Sequence, residues 1–104
     1  MKKACFLLRV KPDRVEEYKE HHRSVDPEML QALSDAGIRN YSVFLREDGL
    51  MVGCFEAENP AESLRKAGET DASARWAEKM NEIFEPNTGE EVAPEWMEQV
   101  FYFE

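Results

Sequence analysis

"IRNYSVFLREDGLMVGCFEAE", residues 38–58, decides the fold. Two β-rich runs flank Glu47-Asp48-Gly49, where the glycine can take the positive φ of a tight turn, so the segment predicts a β-hairpin. Its strands are apolar at consecutive positions, as in "YSVFL" and "LMVGCF". Such strands ask for cover on both faces of the sheet.

On the N-terminal side of the hairpin, "DPEMLQALSDAG" predicts a helix. Asp26 can cap it, Pro27 fits its first position and Gly37 ends it. A shorter helix is expected from Asp13 to about His22, and "ACFLLRV" (4–10), closed by Pro12, reads as a mostly buried strand. On the C-terminal side, Asn59, Pro60 and Glu62 form a capping-box start. "TDASARWAEKMNEIF" follows as an amphipathic helix with Trp76, Met80 and Ile83 or Phe84 on one face and Asp71 as its simplest cap. Residues 85–95 read as a loop, "NTGEEVAPE" as solvated, Trp96 as part of the loop before the last strand, and "EQVFYF" as that strand.

The order strand, helices, strand, strand, helices, strand predicts an α+β, ferredoxin-like fold: a four-stranded antiparallel sheet with helices on one face. The 104 residues fit one domain, 1–104. Helices from this chain cover one sheet face; the other should pack on a second copy or line a pocket, and a two-fold homodimer closes it most simply.

The net charge of −9 argues against nucleic acid and anionic membrane, whose phosphates need a positive surface. "MKKACFLLRVKPD" lacks the apolar length and cleavage site of a signal peptide, and no segment approaches a bilayer span. Cys5 and Cys54 show no metal-ligand spacing. One disulfide is arithmetically available, but the expectation is two buried free thiols in a cytoplasmic protein.

For chemistry, "VEEYKEHHRS" (15–24) sets Tyr18 and His22 one turn apart on one helical face, shared roughly with Val15 and Val25. An unperturbed imidazole titrates near pH 6.5 and exchanges protons at neutral pH with little tuning. Tyr18 could orient it or hold a substrate hydroxyl. The plain alternative is a partly exposed surface histidine with Tyr18 at the edge of the core. His21 points about 100° away, toward solvent. Tyr41, on the strand face of Val43 and Leu45, and Trp76 read first as core; with Tyr18 they could also stack on a sugar. No phosphate loop, nucleophile elbow or zinc spacing is present in the sequence.

Four stretches, "VKPDRVEEYKEHH", "PEMLQALSDAGIRNYSVFL", "ETDASARWAEKM" and "EQVFYFE", together resemble the L-rhamnose mutarotase family over nearly the whole chain. The resemblance implies a ferredoxin-like protomer in a dimeric α/β barrel, and cofactor-free exchange of sugar anomers. It implies a proton-donor role for His22 and sugar contacts at Tyr18, Tyr41 and Trp76 and at the position of Ala77. The chain departs from the pattern at Ala77 and Asp26, where many members have tryptophan. Those changes thin the aromatic wall and open the identity of the 6-deoxyhexose, with L-fucose an alternative to L-rhamnose. A cofactor-free monooxygenase-like enzyme on the same architecture, or a non-catalytic sugar-binding module, are the other readings.

Overall fold

The structure, a computed structural model, describes residues 1–86 and 93–104. The part of the expected loop at 87–92 lies outside them.

The hairpin forms as its sequence dictates. Strands β2 (Arg39–Leu45) and β3 (Leu50–Ala57) pair antiparallel, and Gly49 between them has φ +99°. A Cβ there would lie 2.1 Å from the Val10 carbonyl oxygen, so a side chain is excluded twice over, by conformation and by space. β1 (Lys2–Arg9) lies against β3, and β4 (Glu95–Met97) against β1, giving the order β2-β3-β1-β4 with all pairs antiparallel. This is the ferredoxin-like order.

Four α-helices complete the described residues: α1 (Val15–Arg23), α2 (Pro27–Asp35), α3 (Pro60–Gly68) and α4 (Asp71–Asn81). A short 3-10 turn at Pro12–Arg14 leads into α1. Asp26 caps α2 by accepting the Glu28 N–H at 2.9 Å, and Asn59 caps α3 by accepting that of Glu62 at 3.3 Å. The capping box of α3 is half formed, because the Glu62 carboxylate turns to Arg65. On α4 the cap is Thr70, whose hydroxyl accepts the Ser73 N–H at 3.1 Å; Asp71, expected as the cap, is the first helical residue. The backbone made the choice: Thr70 keeps extended dihedrals, which a cap requires.

One face of the sheet is packed. On β3, Met51, Phe55 and Ala57 alternate with half-buried Val52, Cys54 and Glu56. Phe6, Met51 and Phe55 join Val15, Tyr18, Ala67, Met80 and Ile83 from the helical side in one core. Gly53 belongs to that face too, and the Phe6 ring from the neighbouring strand lies directly over it. The opposite face carries Leu7 and Val52, half-buried, and Phe44 and Met97, exposed. It is the face that asks for cover.

Three expectations are corrected. Cys5 and Cys54 are not two free thiols: they stand opposite each other on β1 and β3, Cα atoms 4.3 Å apart, and form a disulfide. Strand register, which cysteine spacing does not report, brings them together. The last strand is not "EQVFYF" but Glu95–Met97, so Trp96 belongs to the strand rather than to the loop before it. Pairing with β1 lasts only from Leu7↔Glu95 to Cys5↔Met97; beyond it Val100, Phe101 and Phe103 leave the edge and stand exposed. Aromatic density marked the wrong residues because a strand is fixed by its partner.

Candidate active site

α1 begins with Val15 and Tyr18 buried, and that stripe turns the next residue of the face, His22, toward the centre of the molecule. The Tyr18 and His22 rings lie 4.2 Å apart, tilted by 34°. His22 Nδ1–H donates to the Tyr18 carbonyl at 2.9 Å. A carbonyl only accepts, so this bond fixes the tautomer and leaves Nε2 as the nitrogen free to exchange a proton. His21 behaves differently, reaching the Glu17 carboxylate at 3.6 Å on the outer side of the helix.

From α4, Trp76 meets His22 in a T-shaped contact, ring centres 5.0 Å apart and planes at 82°. Trp76 is there because Met80, one turn on, is buried and fixes the helix rotation. Tyr41 arrives from β2 by a different device. Between Arg39 and Ser42 the strand carries one more residue than its partner, a β-bulge, and Asn40 takes φ 50°. Ile38 and Tyr41 are three positions apart and would face opposite sides of a regular strand. The extra residue lets both turn inward, Ile38 into the core and Tyr41 against Phe6 and Phe55.

These groups border a cavity of about 440 Å³ between helices and sheet. His22, Tyr41 and Trp76 line it with Ser73; α2 and its approach contribute Val25, Met29, Leu30 and Leu33, and Val43, Leu64 and Ala67 close the rest. The volume suits a monosaccharide, and the lining is mostly aliphatic with a few polar groups. Tyr18 lines an adjoining groove on the other side of His22, with Lys19, Arg23, Val43 and Leu45. Ala77 is half-buried beside Trp76 but is not part of either lining. The sequence thus located His22, Tyr41 and Trp76 on one cavity and Tyr18 beneath the imidazole. It missed Ser73, although the spacing of three from Trp76 was a usable signal.

Both inner phenols are held neutral. Burial drives the Tyr18 hydroxyl well above its ordinary pKa, with Tyr41 nearby adding to the shift, and burial pushes Tyr41 up to about 12. Near neutral pH both keep their protons and can donate a hydrogen bond. Beside the cavity, Arg75 bonds the carboxylates of Asp26 at 3.2 Å and Glu28 at 2.8 Å, tying α2 to α4. The Glu28 N–H and then Arg75 hold the Asp26 carboxyl below the usual range. Asp26 therefore presents a charge engaged in a surface pair where an aromatic wall was the family expectation. Among the described residues no cluster of His, Cys, Asp or Glu could hold a metal. Nor is any helix among the described residues long and apolar enough to cross a membrane.

The chain is similar to known proteins over nearly its whole length. A family model described as L-rhamnose mutarotase matches residues 3–103. Proteins named L-rhamnose mutarotase from Bacillus subtilis and Oceanobacillus iheyensis are 32% and 30% identical, each over 100% of this chain and 100% of its own length. The crystal structure of an L-rhamnose mutarotase from Formosa agariphila superimposes with a TM-score of 0.82 at 23% identity, covering both chains fully. A dimeric ferredoxin-like protein from an uncultured marine organism superimposes with a TM-score of 0.62 at 16% identity, covering 97% of this chain and 95% of that one. At these identities the two structures speak for the fold.

Proposed function

The chain belongs to the L-rhamnose mutarotase family, and from that premise we propose that it interconverts the α and β anomers of L-rhamnose, or of a related 6-deoxyhexose, with His22 as the proton donor. The observation that carries the role is the Nδ1–H bond from His22 to the Tyr18 carbonyl, which leaves Nε2 to work at the edge of a monosaccharide-sized cavity.

In the proposed reaction, protonated Nε2 gives its proton to the ring oxygen as the bond from that oxygen to the anomeric carbon breaks. The anomeric hydroxyl becomes the aldehyde oxygen and its proton leaves to solvent water. Rotation about the adjacent carbon–carbon bond and the reverse steps close the ring on the other face. Tyr41 and Trp76 hold the sugar and Tyr18 packs beneath the imidazole, while Ala77, beside Trp76 but outside the lining, adds no wall of its own. Neutral phenols fit binding rather than the basic role. One histidine and solvent water supply the proton transfer this needs, so the reading includes no cofactor.

Anomer exchange of L-rhamnose, followed by NMR saturation transfer with L-fucose in parallel, tests the proposal. His22→Asn should lower the enzyme-dependent exchange by about 10²–10⁴-fold, the worth of a positioned acid, with an unchanged circular dichroism spectrum. A variant exchanging at the wild-type rate overturns the role of His22.

The same reading treats 1–104 as one mutarotase-like domain working as a homodimer, with neither nucleic acid nor membrane as partner. The exposed Phe44 and Met97 on the uncovered sheet face support pairing, and a monomer in analytical sedimentation would contradict it. A cytoplasmic setting also belongs to the reading. A reducing pool works against disulfides there, so the Cys5–Cys54 bridge stands against that setting, and thiol trapping at lysis of the native host decides it: an intact bridge overturns the cytoplasmic reading.

A further inference from the structure

We propose that Ser73 is a specificity-determining residue whose hydroxyl hydrogen-bonds one hydroxyl of the sugar in the cavity that His22, Tyr41 and Trp76 share; this rests on the mutarotase reading of that cavity. A 6-deoxyhexopyranose brings four hydroxyls, and each must recover a partner when it leaves water. The cavity is mostly aliphatic, and its hydrogen-bonding side chains are His22, Tyr41, Ser73 and Trp76. His22 commits Nδ1 to Tyr18, and an indole N–H only donates. A hydroxyl both donates and accepts, and the lining has only two, on opposite walls: the Tyr41 phenol from β2 and the Ser73 hydroxyl from α4.

That hydroxyl is not needed by the fold. The Ser73 N–H is satisfied by Thr70 Oγ1, and the Ser73 hydroxyl itself has no hydrogen-bond partner among the described residues. Ser73 stands one turn before Trp76 on the same face of α4. Trp76 in turn touches His22, ring centres 5.0 Å apart, so a sugar held in this cavity meets Ser73, Trp76 and His22 on one lining.

The test measures enzyme-dependent anomer exchange against sugar concentration for the wild type and for Ser73→Ala, Ser73→Cys and Ser73→Thr, with a series of monodeoxy analogues. Cysteine keeps the volume and loses the strong hydrogen bond, so it separates bonding from packing. Losing one neutral hydrogen bond should raise KM about 3–10-fold in the Ala and Cys variants, with kcat within about twofold, while Thr stays close to wild type. One monodeoxy analogue should suffer the same penalty in the wild type and none in Ser73→Ala. Unchanged KM in Ala and Cys, or an unchanged order of preference among the analogues, overturns the assignment. Should the wild type accelerate exchange of no sugar, the mutarotase reading itself fails. Ligand-dependent thermal shifts of wild type and Ser73→Ala with L-rhamnose then decide the contact separately: an equal shift, or none, overturns it, and a smaller shift in the variant sustains it.

Discussion

Gly53→Ala places one methyl group against the Phe6 ring on the packed face of the sheet. A Cβ on Gly53 would lie 2.5 Å from Phe6 Cζ and 2.8 and 3.1 Å from its two Cε atoms. Ordinary carbon contacts are about 3.5–4.0 Å, so the ring must lift by roughly 1 Å. It has nowhere to go: Phe6 is 5% exposed and is packed by Trp96, Tyr41 and Phe55, ring centres 5.6, 6.4 and 6.4 Å away. Overpacking of this kind costs about 1–3 kcal/mol. Against it stands the reduced freedom of the unfolded chain, which returns about 0.4–1 kcal/mol. The clash wins, and the net loss should be about 1–2 kcal/mol, or a fall in Tm of roughly 4–16 °C for a chain of this size. Thermal melts at matched protein concentration measure it, since pairing of copies would otherwise shift Tm. In a Phe6→Leu background the obstacle shrinks, so Gly53→Ala should cost less there by at least about 0.5 kcal/mol. A wild-type Tm, or an equal cost in both backgrounds, refutes the packing argument.

Two further outcomes follow from buried groups and backbone. With the folded Tyr41 phenol pushed up to about 12 by burial and the unfolded one near 10, the native state holds its proton more tightly. Stability from this group is therefore intact below pH 10 and lost as pH climbs from there to 12, by about 1.4 kcal/mol at pH 11; urea unfolding at pH 9 and 11 should show it, and Tyr41→Phe should flatten the fall. At Asn40, φ 50° suits Asn and Gly but not a β-branched residue. Asn40→Val should cost about 1–2 kcal/mol and raise KM by displacing Tyr41, while Asn40→Gly should leave both near wild type; equal behaviour of the two variants would remove the bulge from the account.

How far the sequence alone reached depends on how local each signal is. The turn at Gly49 and the caps at Asp26 and Asn59 are local: a dihedral preference, or one side chain meeting an amide two or three residues on. Helical spacing likewise placed Tyr18 under His22 and aimed Trp76 inward, since i, i+4 neighbours share a face whatever lies beyond. The tertiary structure decided what depends on partners far along the chain. Register joined Cys5 to Cys54 across 49 positions and stopped the last strand at Met97. The bulge at Asn40 turned Tyr41 into the cavity, and packing of α4 against α2 brought Ser73 to the same wall. Short-range geometry is written in neighbouring residues, whereas register and cavity shape emerge only when separate elements compete for the same core.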